Sequence, residues 1–246
     1  MKKLMMFSLS LAVVLTVNLH AKDNEKKEDT FVYATYFNCD TAKQDKVDEI
    51  VEKEMKPVYD KAVADGVIKN WSWLKHQTGG QWRRVAVTTT SSLSTLLPAQ
   101  KTINKMMDAA KVDPGNTYGS VCNSHDDYIW KVEAGHSVDK PSNATLSVYL
   151  VCDASQEERA DEIVKKVFTP IYNANVGKGK LIRWGWLSHI IGGEYRRLLT
   201  MSAANYGDLL NTRGEILDTI YGDKGPAEAK EMSKICNSHS DYLWDS

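Results

Sequence analysis

The sequence predicts an α+β protein made of two tandem copies of one β-α-β-β-α-β unit. Three observations carry this prediction. The chain matches itself when it is shifted by 113 residues, strand-like and helix-like patterns follow in the same order in both copies, and four cysteines recur at corresponding positions. Each copy has roughly a hundred residues, a size that suits a small domain.

The duplication is long and specific. Residues 36–84 and 149–197 share 20 identities in 49 aligned positions without a gap. After a one-residue insertion, the sequence Cys-Asn-Ser-His at 122–125 recurs at 236–239. We therefore expect a first repeat over 31–132 and a second over 144–246. The segment between them, 133–143, contains Gly, Pro and Ser and is predicted to be a linker.

The first half of each repeat is predicted to hold one strand and one helix. Residues 31–38 and 146–151 are rich in β-branched and aromatic residues, which favours strands. Apolar residues at i, i+3, i+4 spacing then predict an amphipathic helix. In the first repeat it begins near Asp40, is kinked or restarted at Pro57 and ends at Gly66, and the second repeat has the corresponding residues.

The second half predicts a hairpin, a helix and a last strand. Residues 68–76 and 82–88 form the hairpin around a Gly-Gly turn. A helix over 94–110 is followed by a turn signal, a loop and a short strand near 128–132. This order of elements is the split-βαβ or ferredoxin-like unit.

With this unit duplicated, the chain resembles the dimeric α/β-barrel superfamily, which contains the antibiotic-biosynthesis-monooxygenase-like proteins. In that superfamily two such sheets pack face to face, usually from separate chains. The resemblance rests on element order over both repeats, and it implies that the two repeats pair within one chain as a pseudo-dimeric barrel. The family includes cofactor-free oxygenases, haem enzymes and isomerases, so the resemblance implies no single activity.

The N-terminus has the order of a secretory signal peptide. Lys2 and Lys3 precede the apolar run 4–17, and Ala21 precedes a charged segment. We expect cleavage after Ala21, which makes 1–21 a signal peptide, 22–30 a charged, disordered leader and the mature protein periplasmic or secreted. The alternative is an uncleaved anchor, but the run is shorter than the ~20 residues of a spanning helix. No membrane span is therefore expected after cleavage.

Corresponding positions of the repeats carry four cysteines, Cys39, Cys122, Cys152 and Cys236. Exported cysteines usually form disulfides, and four of them allow three pairings. In the ferredoxin-like unit the first and last strands are antiparallel neighbours, which implies Cys39–Cys122 and Cys152–Cys236. The alternative is a metal site, since Cys-x-x-His spacing adds His125 and His239. A second ligand cluster is missing from the sequence, so no metal is predicted and these histidines are expected to be loop residues.

His76 and His189 stand at the hairpin ends of their strands, beside the Gly-Gly turns. Because relatives of this fold bind haem, the resemblance makes haem ligation by such a histidine a hypothesis. The sequence lacks the Cys-x-x-Cys-His attachment motif. A histidine hydrogen-bonded within the hairpin is the simpler interpretation, and no cofactor is predicted.

Strand alternation groups aromatic and arginine side chains on one face of each hairpin. This face comprises Trp71, Trp73, Lys75, Trp82, Arg84 and Ala86 in the first repeat and Trp184, Trp186, Tyr195 and Arg197 in the second. We expect it to point into the space between the sheets, joined by Tyr36 and Tyr149, while the aliphatic face packs under the helices. Such a pocket would bind a planar or anionic ligand by stacking and bidentate hydrogen bonds. Alternatively the aromatic residues are core, and the arginines pair with acids such as Asp127 or Asp241.

Three functions follow from these patterns. The preferred one is an exported protein that binds a small molecule between the repeats, because no nucleophile–base signature is found. The second is a cofactor-free monooxygenase-like or haem-dependent enzyme, with His76/His189 and Tyr36/Tyr149 as titratable groups. The third is a disulfide-clamped interaction module of the envelope. A formal net charge of −1 without a basic patch argues against a nucleic-acid partner, and serine-hydrolase and phosphate-loop motifs are missing.

Overall fold

A computed structural model describes residues 29–245 of the chain. The predicted signal peptide and nearly all of the predicted leader lie outside these residues. The described strands are β1 (Phe31–Asn38), β2 (Asn70–Thr78), β3 (Arg84–Thr90), β4 (Ser124–Ser137), β5 (Ala144–Cys152), β6 (Arg183–Ile191), β7 (Arg197–Ala203) and β8 (Cys236–Asp245). The first-repeat helices are α1 (Gln44–Ile50), α2 (Lys56–Ala64), α3 (Leu93–Ala110) and α4 (Thr117–Val121). The second-repeat helices are α5 (Glu157–Ile163), α6 (Thr169–Gly177), α7 (Tyr206–Tyr221) and α8 (Ala227–Ile235).

The strands form one closed antiparallel barrel in the order β1-β3-β2-β8-β5-β7-β6-β4. Strands of the same repeat are neighbours, and the repeats meet where β2 pairs with β8 and where β4 pairs with β6. The helices cover the outside of the barrel. The predicted α+β class and the pairing of both repeats into one pseudo-dimeric barrel are confirmed.

The last strand of the first repeat is longer than predicted. β4 begins at Ser124 and runs to Ser137, and its residues from Ile129 onward pair with β6. Residues 133–137 therefore belong to the sheet, and the connection between the repeats is only 138–143. The strand continues because β6 offers an unpaired edge on which the backbone groups of 133–137 can form hydrogen bonds.

Each predicted proline kink is a widened helical turn. A π-helical turn at Val51–Met55 joins α1 to α2, and one at Val164–Phe168 joins α5 to α6. Pro170 has no N–H, so the regular helical bond to the preceding turn is lost. Just before the proline, Thr169 donates to the carbonyl of Val164, five residues earlier, through its backbone N–H and through its hydroxyl at 2.9 Å. Such turns are frequent at functional sites, and this one borders the cavity described below.

The barrel interior is a packed aromatic core. It contains eight aromatic side chains, Tyr36, Trp82, Tyr128, Trp130, Tyr149, Tyr195, Tyr242 and Trp244. Their neighbouring ring centroids lie between 4.3 and 6.2 Å apart, in stacked, tilted and edge-to-face arrangements. These are the distances of aromatic rings in direct contact. The space between the two sheets is therefore core, and the prediction of a ligand pocket there is wrong.

Both predicted disulfides are present, Cys39–Cys122 and Cys152–Cys236. Each one ties the end of a repeat's first strand to the beginning of its last strand, as the topology implied. Disulfides of this kind are typical of oxidising compartments. Between residues 29 and 245, no helix is long and apolar enough to cross a membrane.

Candidate functional site

The predicted ligand face lies under the helices and not between the sheets. Trp71 stacks on Tyr59 of α2, and Trp184 stacks on Tyr172 of α6, each at a ring-centroid distance of 4.8 Å. We predicted that this face points into the space between the sheets. That prediction is wrong for Trp71, Trp73, Arg84, Trp184, Trp186 and Arg197. The barrel interior instead receives the face that was expected to pack under the helices, with Leu74 and Val85.

Buried arginines account for this orientation. The Nε and Nη2 groups of Arg84 donate to both carboxylate oxygens of Asp48 on α1 at 2.7 Å, and Trp73 Nε1 donates to the same carboxylate at 2.8 Å. A buried arginine requires such a partner. Because the partner is on the helix, the face that carries the arginine turns toward the helix. The second repeat repeats this clamp with Asp161, Trp186 and Arg197.

Four aromatic residues of the predicted face do reach the interior, and Tyr195 is one of them. Tyr36 and Tyr149 lie there as expected, with ring centroids 5.4 Å apart. Trp82 precedes β3, so strand alternation does not govern it, and its ring stacks on Tyr36 inside the barrel at 4.3 Å. Burial raises the pKa of both Tyr36 and Tyr149. These phenols therefore stay protonated and belong to the core.

A cavity of about 360 Å³ lies between the sheet and the helices of the second repeat. Its floor is the outer face of the barrel, with Val148, Leu150, Trp186, Leu199 and Met201. Its other walls come from the widened turn and the helices, with Val164, Phe168, Tyr172, Ile216, Ile220, Tyr221 and Met232. This volume falls at the lower end of the ~300–1,000 Å³ of ligand pockets, and the walls are as apolar as such pockets usually are.

One side of the cavity is polar. Arg213 and His239 line it, and Asp241 pairs with both. Arg213 Nη2 lies 2.5 Å from one carboxylate oxygen of Asp241, and His239 Nε2 lies 3.6 Å from the other, Oδ1. This Oδ1 is buried and accepts no hydrogen bond from the described residues. Buried acceptors usually have a donor, so this oxygen is an exception among the described residues.

The corresponding space in the first repeat is filled by aromatic rings. Tyr118 precedes Cys122 by four residues, as Met232 precedes Cys236. The ring of Tyr118 packs against Phe37 at 5.3 Å and against Trp73 at 6.1 Å. In the second repeat the smaller Leu150 replaces this phenylalanine, and both Leu150 and Met232 line the cavity. The two repeats therefore share a fold but differ at this place.

Comparisons with known proteins identify the fold but no family. No family model and no curated protein matches the sequence. A candidate monooxygenase from Lactobacillus acidophilus NCFM matches with a TM-score of 0.59 and 8% identity, over 88% of this chain and 93% of that one. A candidate monooxygenase from Fusobacterium nucleatum matches with 0.60 and 11%, over 89% and 93%. A candidate DyP-type peroxidase from Shewanella oneidensis matches with 0.51 and 8%, over 88% and 92%.

The chain has the dimeric α/β-barrel fold, with both halves in one polypeptide. The resemblance stated from the sequence is thereby confirmed for the fold. At such low identities the likeness gives the architecture of the barrel alone.

The histidines beside the Gly-Gly turns are held within the barrel wall. His76 lies 3.1 Å from Arg83 Nη1, and His189 Nδ1 lies 2.9 Å from Arg196 Nη1. Burial and the neighbouring arginine lower the pKa of both histidines. Both rings also pack edge-on against a tryptophan at 5.9 Å. A neutral ring that faces a guanidinium and a tryptophan has no room for a haem iron, so these two histidines do not fit that group.

The Cys-x-x-His segments of the barrel hold no thiolate ligands, because Cys122 and Cys236 are in disulfides. From residue 29 to 245, no group of three His, Cys, Asp or Glu side chains is placed to hold a metal ion. His125 is exposed, with Nε2 3.4 Å from Asp127. Its counterpart His239 lines the cavity and is the lower-ranked candidate that the structure brings into a pocket.

Sequence reasoning placed few residues of the cavity correctly. Of the aromatic and arginine candidates, Trp186 lines it, and His239 joins from the lower-ranked set. Helix residues such as Arg213, Met232 and Ser233 were missed. A signal for α8 existed, because Ala229, Met232 and Ile235 follow helical spacing among strong helix formers, but this segment was predicted to be a loop.

Proposed function

We propose that the protein is exported and binds a small, largely apolar organic molecule with an anionic or acceptor group in the cavity of the second repeat. One observation carries the proposal: the corresponding space is filled by Tyr118 and Phe37 in one repeat and open in the other. An unfilled cavity would destabilise either repeat, and the first repeat fills this space with aromatic rings. A cavity kept in the second repeat alone is therefore a specialised feature.

The cavity favours one orientation of its ligand. An apolar body would lie against Phe168, Trp186 and Met201, and its polar end would face Arg213 and His239. Arg213 has five donor N–H groups, of which the ion pair with Asp241 uses one. The others can donate to a carboxylate, sulfonate or carbonyl group. Burial raises the pKa of Tyr172 and Tyr221, so their phenols stay neutral at physiological pH.

Export is supported by the signal-like N-terminus together with the two disulfides. An exported binding protein would meet its ligand in the periplasm or outside the cell. Mass determination of the protein purified from an exporting host gives a direct check. A mature chain that begins at Lys22 is the expected result, and a full-length chain retained in the cytosol contradicts export.

Binding is tested with 1-anilinonaphthalene-8-sulfonate, a planar apolar probe with one anionic group. The wild-type protein is expected to enhance its fluorescence with one saturable site per chain. Met232→Tyr installs the residue that fills the first repeat and is expected to abolish this site. Arg213→Gln installs the residue found at the equivalent position, Gln100, and is expected to weaken binding about tenfold, or about 1.4 kcal/mol.

Tyr118→Phe is the matched control, since it keeps the ring that fills the first repeat and leaves the second untouched. It should bind the probe like the wild type, with the same circular dichroism spectrum. Unchanged binding by a folded Met232→Tyr variant would place the probe elsewhere and refute the proposal.

A second candidate function is cofactor-free oxygenation or another reaction that begins with proton abstraction. The observation in its favour is His239 at the polar side of an apolar cavity, with its Nε2 3.6 Å from the carboxylate of Asp241, since a histidine beside a carboxylate is a common arrangement for proton abstraction. Structures with this fold include candidate monooxygenases. The expected result is oxygen uptake with quinol-like substrates that is lost in His239→Gln. If the protein consumes no oxygen with a broad panel of substrates, this candidate function is excluded.

A haem-dependent reaction is another enzymatic function to consider, because a candidate peroxidase has the same fold. Among the described histidines, His239 alone combines a place in an apolar cavity with a carboxylate neighbour, as metal-bound histidines often have. When bound, haem would supply redox chemistry at its iron. A Soret band on reconstitution that His239→Gln removes would support it, and the absence of a band would exclude it.

A further inference from the structure

The two places where the repeats meet are unequal. β4 pairs with β6 from Ile129 to Ser137, so the edge of β6 is covered from Arg183 to Ile191. β8 pairs with β2 only at Lys75–Thr78. Within residues 29–245, the segment Asn70–Leu74 of β2 thus has β3 on one side and no strand on the other.

The open side of this segment carries backbone groups that can form a ladder. His76 N donates to the carbonyl of Arg83 at 3.0 Å, which fixes the alternation of hydrogen-bonded pairs between β2 and β3. Residues of an antiparallel strand direct their N–H and C=O groups alternately to one neighbour and the other. The backbone groups of Trp71 and Trp73 therefore point to the open side. Their counterparts, Trp184 and Trp186, pair there with β4.

A groove of about 480 Å³ runs along this open edge. Its strand side is formed by Trp71, Ser72, Trp73 and Lys75, and its helix side by Asp48, Glu49, Val51, Glu52, Lys53 and Lys56. Proteins usually protect such edges with a bulge, a proline or a covering element. In the segment 70–74 the pairing with β3 is regular, and no proline occurs.

The second repeat shows what fits such a groove. There the strand residue Glu133 accepts hydrogen bonds from Lys165 Nζ at 2.7 Å and from Ser188 Oγ at 3.0 Å. The residues at the equivalent positions of the first repeat are Glu52 and Lys75. A side chain placed between a carboxylate and an ammonium group is best an amide, which donates to the first and accepts from the second.

The strand in the second repeat also requires a glycine. A Cβ atom on Gly135 would lie 2.8 Å from the carbonyl oxygen of Trp184 and 3.3 Å from the Cα of Gly185. The equivalent backbone in the first repeat is that of Trp71 and Ser72, so the same close approach is expected there. An occupant of the groove thus needs glycine two residues after the amide side chain.

We propose that the open edge of β2 is a docking site for an extended segment of another polypeptide, which adds as an antiparallel strand beside Asn70–Leu74. The segment carries Asn or Gln, then a small residue, then Gly. Its backbone continues the β2–β8 ladder, and its amide side chain lies between Glu52 and Lys75. This is strand addition to an exposed sheet edge, in which main-chain bonds give affinity and the alternate side chains give specificity.

The test uses a blocked synthetic peptide with the sequence of residues 131–138 in which Gln replaces Glu133. Calorimetry and the fluorescence of Trp71 and Trp73 are expected to report one site on the full-length protein. A peptide with Val in place of its Gly is expected to bind at least tenfold more weakly, and one with an N-methylated backbone beside Trp73 should lose binding. A peptide that retains the original Glu is expected to bind several-fold more weakly than the Gln peptide.

The matched protein variant carries Gln-Ala-Gly-His-Ser appended after Ser246, which supplies a strand for this edge from the same chain. It should no longer bind the peptide and should unfold at a higher temperature. Equal binding by this variant, or no binding by the wild type at millimolar peptide, overturns the proposal. The proposal is also overturned if the wild type forms a dimer and the variant with the appended strand is a monomer, because a second copy of the chain would then be the occupant. Tighter binding by a chain that begins at Asp29 overturns it as well, by assigning the groove to the chain's own leader.

Discussion

The two disulfides offer a prediction whose size follows from the chain itself. Cys39–Cys122 and Cys152–Cys236 close loops of 83 and 84 residues. In the chain-entropy account, closing a loop of this length stabilises the folded state by about 4.5 kcal/mol at 25 °C. Because the loops differ by one residue, removal of either bond should lower the free energy of unfolding by nearly the same amount.

The measurement is urea unfolding of two double variants, Cys39→Ala/Cys122→Ala and Cys152→Ala/Cys236→Ala, followed by tryptophan fluorescence. With an m-value of about 2.5 kcal/mol per molar urea, each variant should lose roughly 1.8 M in its midpoint. Cys236 also borders the cavity, so an excess loss in the second variant measures that packing. A loss below about 1 kcal/mol in the first variant would show that native strain or denatured-state structure outweighs loop entropy.

Two further predictions concern charged groups of the barrel wall. Arg197→Met leaves the largely buried carboxylate of Asp161 without its cation and leaves Glu157 with Arg196 alone, so the free energy of unfolding should fall by about 3–5 kcal/mol in denaturant titration; an unchanged midpoint would refute the role of the clamp. Burial and a neighbouring arginine lower the pKa of His76 and His189, so the unfolded chain binds these protons more readily than the folded one. Stability should therefore decline as the pH falls below about 6.5, and His76→Gln/His189→Gln should flatten the melting temperature between pH 7.5 and 5.5.

The sequence predicted the architecture well because its signals were local or repeated. The duplication, the Gly-Gly hairpins and the proline-interrupted helix each depend on a few neighbouring residues. The disulfides followed once the first and last strands of a unit were adjacent. In each case a physical constraint determines the backbone at the residue itself. Examples are the missing N–H of Pro170 and the positive φ of 72° at Gly66.

The orientation of the hairpin faces could not be predicted in the same way. Alternation correctly grouped Trp73 with Arg84, but it does not state which side of the sheet meets the helices. That choice was made by a partner distant in sequence, Asp48, whose carboxylate binds both side chains. The cavity was missed for a related reason, since Arg213 and Met232 reach it from helices that pack on the sheet only in the folded chain.

The difference between Tyr118 and Met232 has a genetic consequence. In a homodimeric barrel each residue is encoded once, so a mutation that fills one cavity fills both, and a mutation that opens one opens both. In this chain the two positions are separate codons. One half can accept an aromatic ring that improves its packing while the other retains a cavity, and selection can act on stability and on binding independently.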